Sequence, residues 1–490
     1  MQATLCTTFK TPRNAYVYDA GSNQILRVDE NVYQVVRESL SEAPSGAQGG
    51  PMDQDARARA LAEIGQARES GLLLNPAYRV ACFTDQAIQA APDELSRLGP
   101  DHLTLNVTEQ CNFRCRYCLY SGAYEDQRTH SAARMSPEVL DATLDWYHAH
   151  PDREEFSLSF YGGEPLLEMD LLRRAVERVR RSGRKTSLRM TTNASLMDED
   201  KARFLIENAF HVLVSLDGPP NLHDRYRRTV DGHPTFERTW AGVNLLRRLD
   251  PEYFQSHVRF NMVLPPPVDL RAIHAFVLEH PEVFSKSHIR ATLLNDSPCE
   301  LPRELGYDSC REKLNAQFDW LQERFEQAML SGQDSVDPFL LGLALIDYVP
   351  LHLRPLAPLA PVTPSLGQCV PGRAKAFAGT RGDLRVCERL PGVRLLGNVF
   401  TGVDAVAVTS MMHEYNRFLA DRCAGCWAIR LCSKCMANLN RGEALDGELF
   451  AAHCPRAKDF WRARLARYAS ILEQKPDAFS WVDREMETRG

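Results

Sequence analysis

The chain lacks an excess of basic residues, a long apolar run and an apolar leader, and each absence excludes something. Its 490 residues carry 58 Lys and Arg against 64 Asp and Glu, a formal net charge of −6. That balance offers no basic footprint, so no nucleic-acid partner is expected. The longest apolar stretch, Phe339 to Val349, is short and contains Asp347, so no membrane span is expected. The opening residues Met1-Gln2-Ala3-Thr4-Leu5 have no signal-peptide core. What the chain has in quantity is cysteine, 14 in all. Without export signals these are expected in a reducing cytoplasm, where thiols stay free and serve as metal ligands rather than disulfides. The length predicts two or three domains.

Three of the thiols, Cys111, Cys115 and Cys118, stand at CxxxCxxC spacing directly after a strand-like run, His102 to Val107. A loop of that size can wrap three thiolates around one cubane cluster and leave the fourth iron open. A structural zinc site or simple burial is the alternative, although zinc and disulfide frameworks usually use even thiol counts. A second buried strand, Ser157 to Tyr161, runs into Gly162-Gly163-Glu164-Pro165. The glycines let backbone approach a ligand closely, and the carboxylate can hold an ammonium group; alone, the same four residues would read as a turn. Two further strands end in small polar residues, Thr192-Asn193 and Ser215-Leu216-Asp217-Gly218, with Arg225 and Arg228 nearby.

Together these motifs resemble the radical S-adenosylmethionine (SAM) enzymes. The resemblance implies a [4Fe–4S] cluster on Cys111, Cys115 and Cys118 whose open iron binds SAM, with Tyr117 as the aromatic residue before the last thiol. It further implies that Gly162, Gly163 and Glu164 hold the methionyl amine, and that Asn193, Ser215 and Arg228 contact the rest of SAM. One departure is Ala194, where the family often has glycine. The implied chemistry is reductive cleavage of SAM to a 5′-deoxyadenosyl radical that abstracts hydrogen from an unactivated carbon.

The middle of the chain alternates. Strand-like runs at 102–108, 156–161, 186–192, 211–217, 258–264 and 287–294 are separated by helical patterns, the first capped by Ser136-Pro137 and the second closed by Gly183. Further helices are expected near 198–209, 235–249 and 269–280, and from Ser309 to about Leu330. Six strand–helix units predict an α/β fold with a parallel sheet and right-handed crossovers, a partial (β/α)6 barrel over residues 96–335. All the motifs above fall at C-terminal strand ends, where such folds collect their chemistry.

A second cysteine series follows: Cys369, Cys387, Cys423, Cys426, Cys432, Cys435 and Cys454. The order resembles the SPASM domain, which binds two auxiliary [4Fe–4S] clusters; here it covers residues 366–456. A zinc ribbon is the alternative, but the two CxxC pairs are closer together than zinc sites usually place them. The resemblance implies Cys423, Cys426, Cys432 and Cys454 for one auxiliary cluster, and Cys369, Cys387 and Cys435 for the other. The fourth ligand of the latter is open, or is Cys299, Cys310 or another group. Residues 336–365 are expected to link barrel and SPASM domain, and 457–490 to form a helical tail.

At the other end, Ala15 to Asp19 and Ile25 to Val28 alternate about a Gly21-Ser22-Asn23 turn and predict a hairpin, followed by helices at Val32–Leu40 and Ala56–Leu72. Residues 1–95 resemble the winged-helix element that captures leader peptides by strand addition; a packing appendage is the alternative. The combined resemblance implies a peptide maturase forming Cys thioether cross-links in a ribosomally made precursor, with a flavodoxin- or ferredoxin-type electron donor. The alternatives are dehydrogenation of Ser or Cys in a protein substrate, as sulfatase maturases do, and carbon–carbon cross-linking. Asp217, Glu388 and Tyr120 are the candidate catalytic side chains.

Overall fold

The computed structural model describes residues 5–40, 52–124, 127–284, 289–293, 311–332, 335–364, 369–390 and 394–487. Its centre is a ten-stranded mixed sheet. Six strands, Leu103–Thr108, Glu155–Gly162, Lys185–Thr192, His211–Ser215, Val258–Leu264 and Ile289–Leu293, pair in sequence order and all in parallel. They coincide with the six runs expected. Alternate residues such as Leu103, Leu105 and Val107 of the first strand, or Val258, Phe260 and Met262 of the fifth, are fully buried.

The helices begin and end where local chemistry dictates. Ser136 caps Pro137–His148 by accepting a hydrogen bond from the Val139 N–H, and Gly183 closes Met169–Ser182 in a left-handed conformation at φ +65°. The helices Glu199–Glu207, Phe236–Leu249, Leu270–Glu279 and Arg311–Ser331 fall where the sequence places them.

The sheet departs from a purely parallel half-barrel at its first strand. Ala376–Ala378 adds in parallel beside Leu103–Leu105, and Asp383–Arg385 then pairs antiparallel with it. The cysteine-rich C-terminal region is thereby stitched into the same sheet as the parallel strands. The expected linker also takes part in the core. Residues Pro338–His352 are helical, with Phe339, Leu340, Tyr348 and Leu351 buried, because the apolar run needs a partner face and finds one. Asp347, the charge within that run, pairs with Arg464 at 2.9 Å. No helix among the described residues is long and apolar enough to cross a membrane.

The N-terminal strands Cys6–Lys10, Ala15–Asp19 and Gln24–Val28 form an antiparallel three-stranded sheet, followed by helices Glu30–Glu38 and Gln54–Glu69. The hairpin turn is pinned from within. Asn23 sits at φ +62° and accepts a hydrogen bond from the Tyr18 hydroxyl at 2.7 Å. The wholly buried Asp19 carboxylate accepts from Gly21 N, Ser22 Oγ and Leu73 N. The sheet docks on the long helix Gly447–Gln474, whose Glu473 accepts from Thr11, Asn14 and Tyr16. That helix begins ten residues before the expected tail, within the cysteine-rich region, and buries Trp461, Leu465 and Tyr468 with Phe460 at the surface.

Asp19→Ala would strand three buried donors at once. It is expected to lower unfolding stability by about 1–3 kcal/mol in urea titration; an unchanged midpoint would show that the turn does not depend on this carboxylate.

Candidate active site

The first site grows from the end of strand Leu103–Thr108. The chain leaves the sheet there, and the next turn carries Cys111, Cys115 and Cys118. Backbone hydrogen bonds lock the Gly162–Glu164 segment against it: Gly163 N donates to Thr108 O and Glu164 N to Gln110 O. Only glycine allows this. A Cβ on Gly163 would lie 1.8 Å from Gln110 O, and one on Gly162, at φ +144°, 2.2 Å from Thr108 O.

The close approach sets the Glu164 carboxylate beside Cys111, near enough to push that thiol's pKa further above the rise that burial causes. Glu164 is buried and accepts only from neutral donors: Thr192 Oγ1 at 2.7 Å, Asn193 N at 2.8 Å and Leu166 N at 3.1 Å. Burial raises its pKa, and among the described residues no basic side chain pairs with it. A cationic ligand group is what this carboxylate lacks. An ammonium meets that need, so the residues fit the amine of SAM.

The three thiols fit a metal cluster for a related reason. Burial raises the pKa of each, and Cys115 and Cys118 raise Cys111 further, so thiolates here require added positive charge. Donors already aim at the sulfurs: Phe113 N at 3.3 Å from Cys111 Sγ, Tyr120 N at 3.4 Å from Cys118 Sγ, and Arg227 Nη1 at 3.9 Å from Cys115 Sγ. Among the described residues no three His, Cys, Asp or Glu groups converge on a single metal ion.

Arg227 is the residue that sequence reasoning missed. It forms a buried ion pair with Asp217, Nε–Oδ2 2.8 Å and Nη2–Oδ1 3.1 Å, and its guanidinium stands 5.4 Å from the centre of the Tyr117 ring. The Tyr117 hydroxyl also donates to Asp217, whose other oxygen accepts from Val263 N. Arg228, expected at the cofactor, instead donates to Gly232 O in its own loop at 3.3 Å. The helix Pro220–Tyr226 ends one residue earlier and Arg227 is extended, so adjacent side chains diverge. Of three arginines within four residues, the sequence pattern alone does not mark which one turns inward.

The other expected contacts lie as follows. Asn193 donates to Asn112 Oδ1 at 3.0 Å and accepts from Ser195 Oγ at 2.6 Å, beside Cys111. Ser215 ends its strand opposite Asn261. Ala194 adopts φ +57°, a region where a side chain costs roughly 1–2 kcal/mol, which explains the resemblance's preference for glycine at this position.

The three catalytic candidates are all engaged. Asp217 holds Arg227. The Tyr120 hydroxyl donates to Asn106 Oδ1 at 3.2 Å. Burial would raise Glu388, but Lys375 at 2.5 Å holds the carboxyl below its ordinary range.

Several of the C-terminal thiols lie near enough to act on one another. The pKa of Cys423 is raised by burial and then by Cys426, Cys432 and Cys454, while Cys369 and Cys387 both feel Cys435. An unforeseen thiol, Cys82, also acts on Cys423. No spacing rule reaches it, because it precedes the parallel strands. Cys299 and Cys310 lie outside the described residues.

Gly163→Ala is expected to abolish SAM binding in equilibrium dialysis, whereas Gly65→Ala, whose Cβ would meet nothing within 4 Å, keeps it. Wild-type affinity in Gly163→Ala would remove the motif from the binding site.

Residues 105–277 match the family model of the radical SAM superfamily. The serine-type anaerobic sulfatase-maturating enzyme of Bacteroides thetaiotaomicron is 31% identical over 149 residues, 29% of this chain and 35% of that protein. The cysteine-type enzyme of Clostridium perfringens is 31% identical over 147 residues, 29% of this chain and 40% of that one. The matched segment thus spans well under half the length of these relatives. Among solved structures, native anSMEcpe with bound AdoMet aligns at a TM-score of 0.52 and 19% identity, covering 78% of this chain and 99% of that one. The same protein with AdoMet and the Kp18Cys peptide aligns at 0.52 and 18% identity, with the same coverage. The cysteine loop and the Gly-Gly-Glu clamp both fall within the matched segment: residues 105–277 of this chain are a radical SAM domain.

Proposed function

We propose that the chain is a maturase that oxidatively modifies a ribosomally made precursor peptide, forming a Cys thioether cross-link. When bound, the [4Fe–4S] cluster and SAM supply hydrogen-atom abstraction from an unactivated carbon. The chain's own residues hold and shield that chemistry. Cys111, Cys115 and Cys118 ligate the cluster, Glu164 takes the amine of SAM, and the Tyr117–Asp217–Arg227 network lies beside Cys115.

Residues 366–456 serve as a SPASM domain with two auxiliary clusters, on Cys423, Cys426, Cys432 and Cys454 and on Cys369, Cys387 and Cys435. The observation that supports the thioether reading is that, among the described residues, Cys435 is the thiol that acts on both Cys369 and Cys387. Three protein ligands leave one iron of a four-iron cluster for a substrate thiolate. Residues 1–95 capture the leader, with strand Gln24–Val28 at the sheet's edge, where a peptide strand can add. Electrons come from a flavodoxin- or ferredoxin-type donor in the cytoplasm.

One second reading has its own support. Two of the sequence relatives are sulfatase-maturating enzymes, and an anSMEcpe structure holds AdoMet together with a peptide. In this reading the chain dehydrogenates a Ser or Cys without cross-linking it.

Anaerobic, cluster-reconstituted protein with SAM, reductant and the small peptide encoded beside its gene separates the two. The thioether reading expects loss of two hydrogens by mass spectrometry and a cysteine that no longer alkylates. Loss of two hydrogens with every remaining thiol still open to alkylation contradicts it and favours dehydrogenation.

A further inference from the structure

Between the CxxxCxxC loop and the C-terminal hairpin lies a cavity of about 230 Å³ that nothing above uses. Asn106 and Glu109 line it from the radical SAM domain, Arg128 from the loop after Cys118, and Asp383 and Arg385 from the hairpin. Asn106 is wholly buried and Arg385 only 9% exposed. Even so, Asn106 Nδ2, Arg128 Nη1 and both Nε and Nη1 of Arg385 are buried without a hydrogen-bond partner.

The rest of each side chain is held in place. Asn106 Oδ1 accepts from the Tyr120 hydroxyl. Arg128 Nη2 donates to Glu388 O at 2.5 Å, and its guanidinium lies 4.4 Å from the centre of the Phe377 ring. Arg385 Nη2 is 2.6 Å from the Asp383 carboxylate. Of the acidic groups, Asp383 Oδ2 stands in ion-pair range of Arg385 without an aligned hydrogen bond, and Glu109 accepts from Ser131 Oγ at 2.6 Å. Fixed guanidinium forks with unmet donors at a cavity are costly unless an anion completes them, and the planar fork matches a carboxylate.

The position narrows the source. Asn106 Oδ1 lies 2.8 Å from where a Cβ on Gly162 would stand, and Arg128 reaches the backbone of Glu388, next to Cys387. The cavity therefore sits between the SAM-site motif and the first auxiliary thiol group. We propose that it is a carboxylate subsite that anchors an acidic group of the peptide substrate beside the reacting residue. This rests on the peptide-modifying reading above. The carboxylate belongs to an Asp or Glu side chain or to the peptide's C-terminus.

Calorimetric titration of SAM-saturated holoprotein tests it with three probes. N-acetylglutamate N-methylamide presents a side-chain carboxylate, N-acetylglycine a terminal one, and N-acetylglutamine N-methylamide neither. Saturable binding of the first or second probe but not the third is expected, and the tighter of the two identifies the source. Arg385→Gln and Arg128→Gln should each weaken that binding about tenfold or more, with the exposed Arg203→Gln unchanged. If Arg385→Gln fails to fold by circular dichroism, Arg128→Gln carries the comparison. Absence of saturable binding, or equal binding in the variants, overturns the subsite. Formation of 5′-deoxyadenosine from SAM in the same samples reports on the radical SAM reading separately. Its presence without probe binding defeats the subsite alone, and its absence defeats the functional reading whatever the probes do.

Discussion

The structure turns on acidic groups kept out of water, whose charged forms need added positive charge. Glu164 and the thiols of Cys111, Cys115 and Cys118 are all desolvated in the segments that follow the first two parallel strands. Arg227, which donates to Cys115 Sγ, is already committed to Asp217. A fold that concentrates acidic ligands this way pays for them only through what it binds, a cationic metal cluster and an ammonium. The glycine clamp, the parallel strand order and the Tyr117–Asp217–Arg227 network are all ways of holding those ligands together while excluding solvent.

That constraint extends beyond the radical SAM domain because the sheet does. Ala376–Ala378 pairs with the strand that leads into the CxxxCxxC loop, and Cys387 follows two residues after the next strand, Asp383–Arg385. The position of the first C-terminal thiol group relative to the SAM motif is thus set by backbone hydrogen bonds rather than by a loose domain contact. Lys375, bonded to Glu388 beside Cys387, lies one residue before that pairing begins. The N-terminal sheet is joined to the same body through Glu473 and through Tyr18, whose ring stands 6.3 Å from Trp427 in the CxxC segment.

Much of this was legible in the sequence, where chemistry is local. Cysteine spacing, the Gly-Gly-Glu clamp, the six strands, the Ser136 and Gly183 caps and the Gly21-Ser22-Asn23 turn depend on neighbours along the chain, so pattern suffices. Long-range features were not legible. The sheet extension by residues 376–385, the inward turn of Arg227 instead of Arg228, the nearness of Cys82 to Cys423 and the unmet donors of Arg128 and Arg385 arise only when distant segments meet. The burial of 338–352 falls between these cases: its apolar run was visible, its partner face was not.

The central claim is that Glu164 supplies the charge that holds SAM against the cluster on Cys111, Cys115 and Cys118. Electron paramagnetic resonance of the reduced, reconstituted protein tests it most directly. Adding SAM should shift the spectrum of one cluster in the wild type, Cys115→Ala should lack that SAM-sensitive signal, and Glu164→Gln should retain the cluster but require far more SAM for the same shift. A spectrum indifferent to SAM, or a Glu164→Gln protein that responds at wild-type concentrations, would contradict the account.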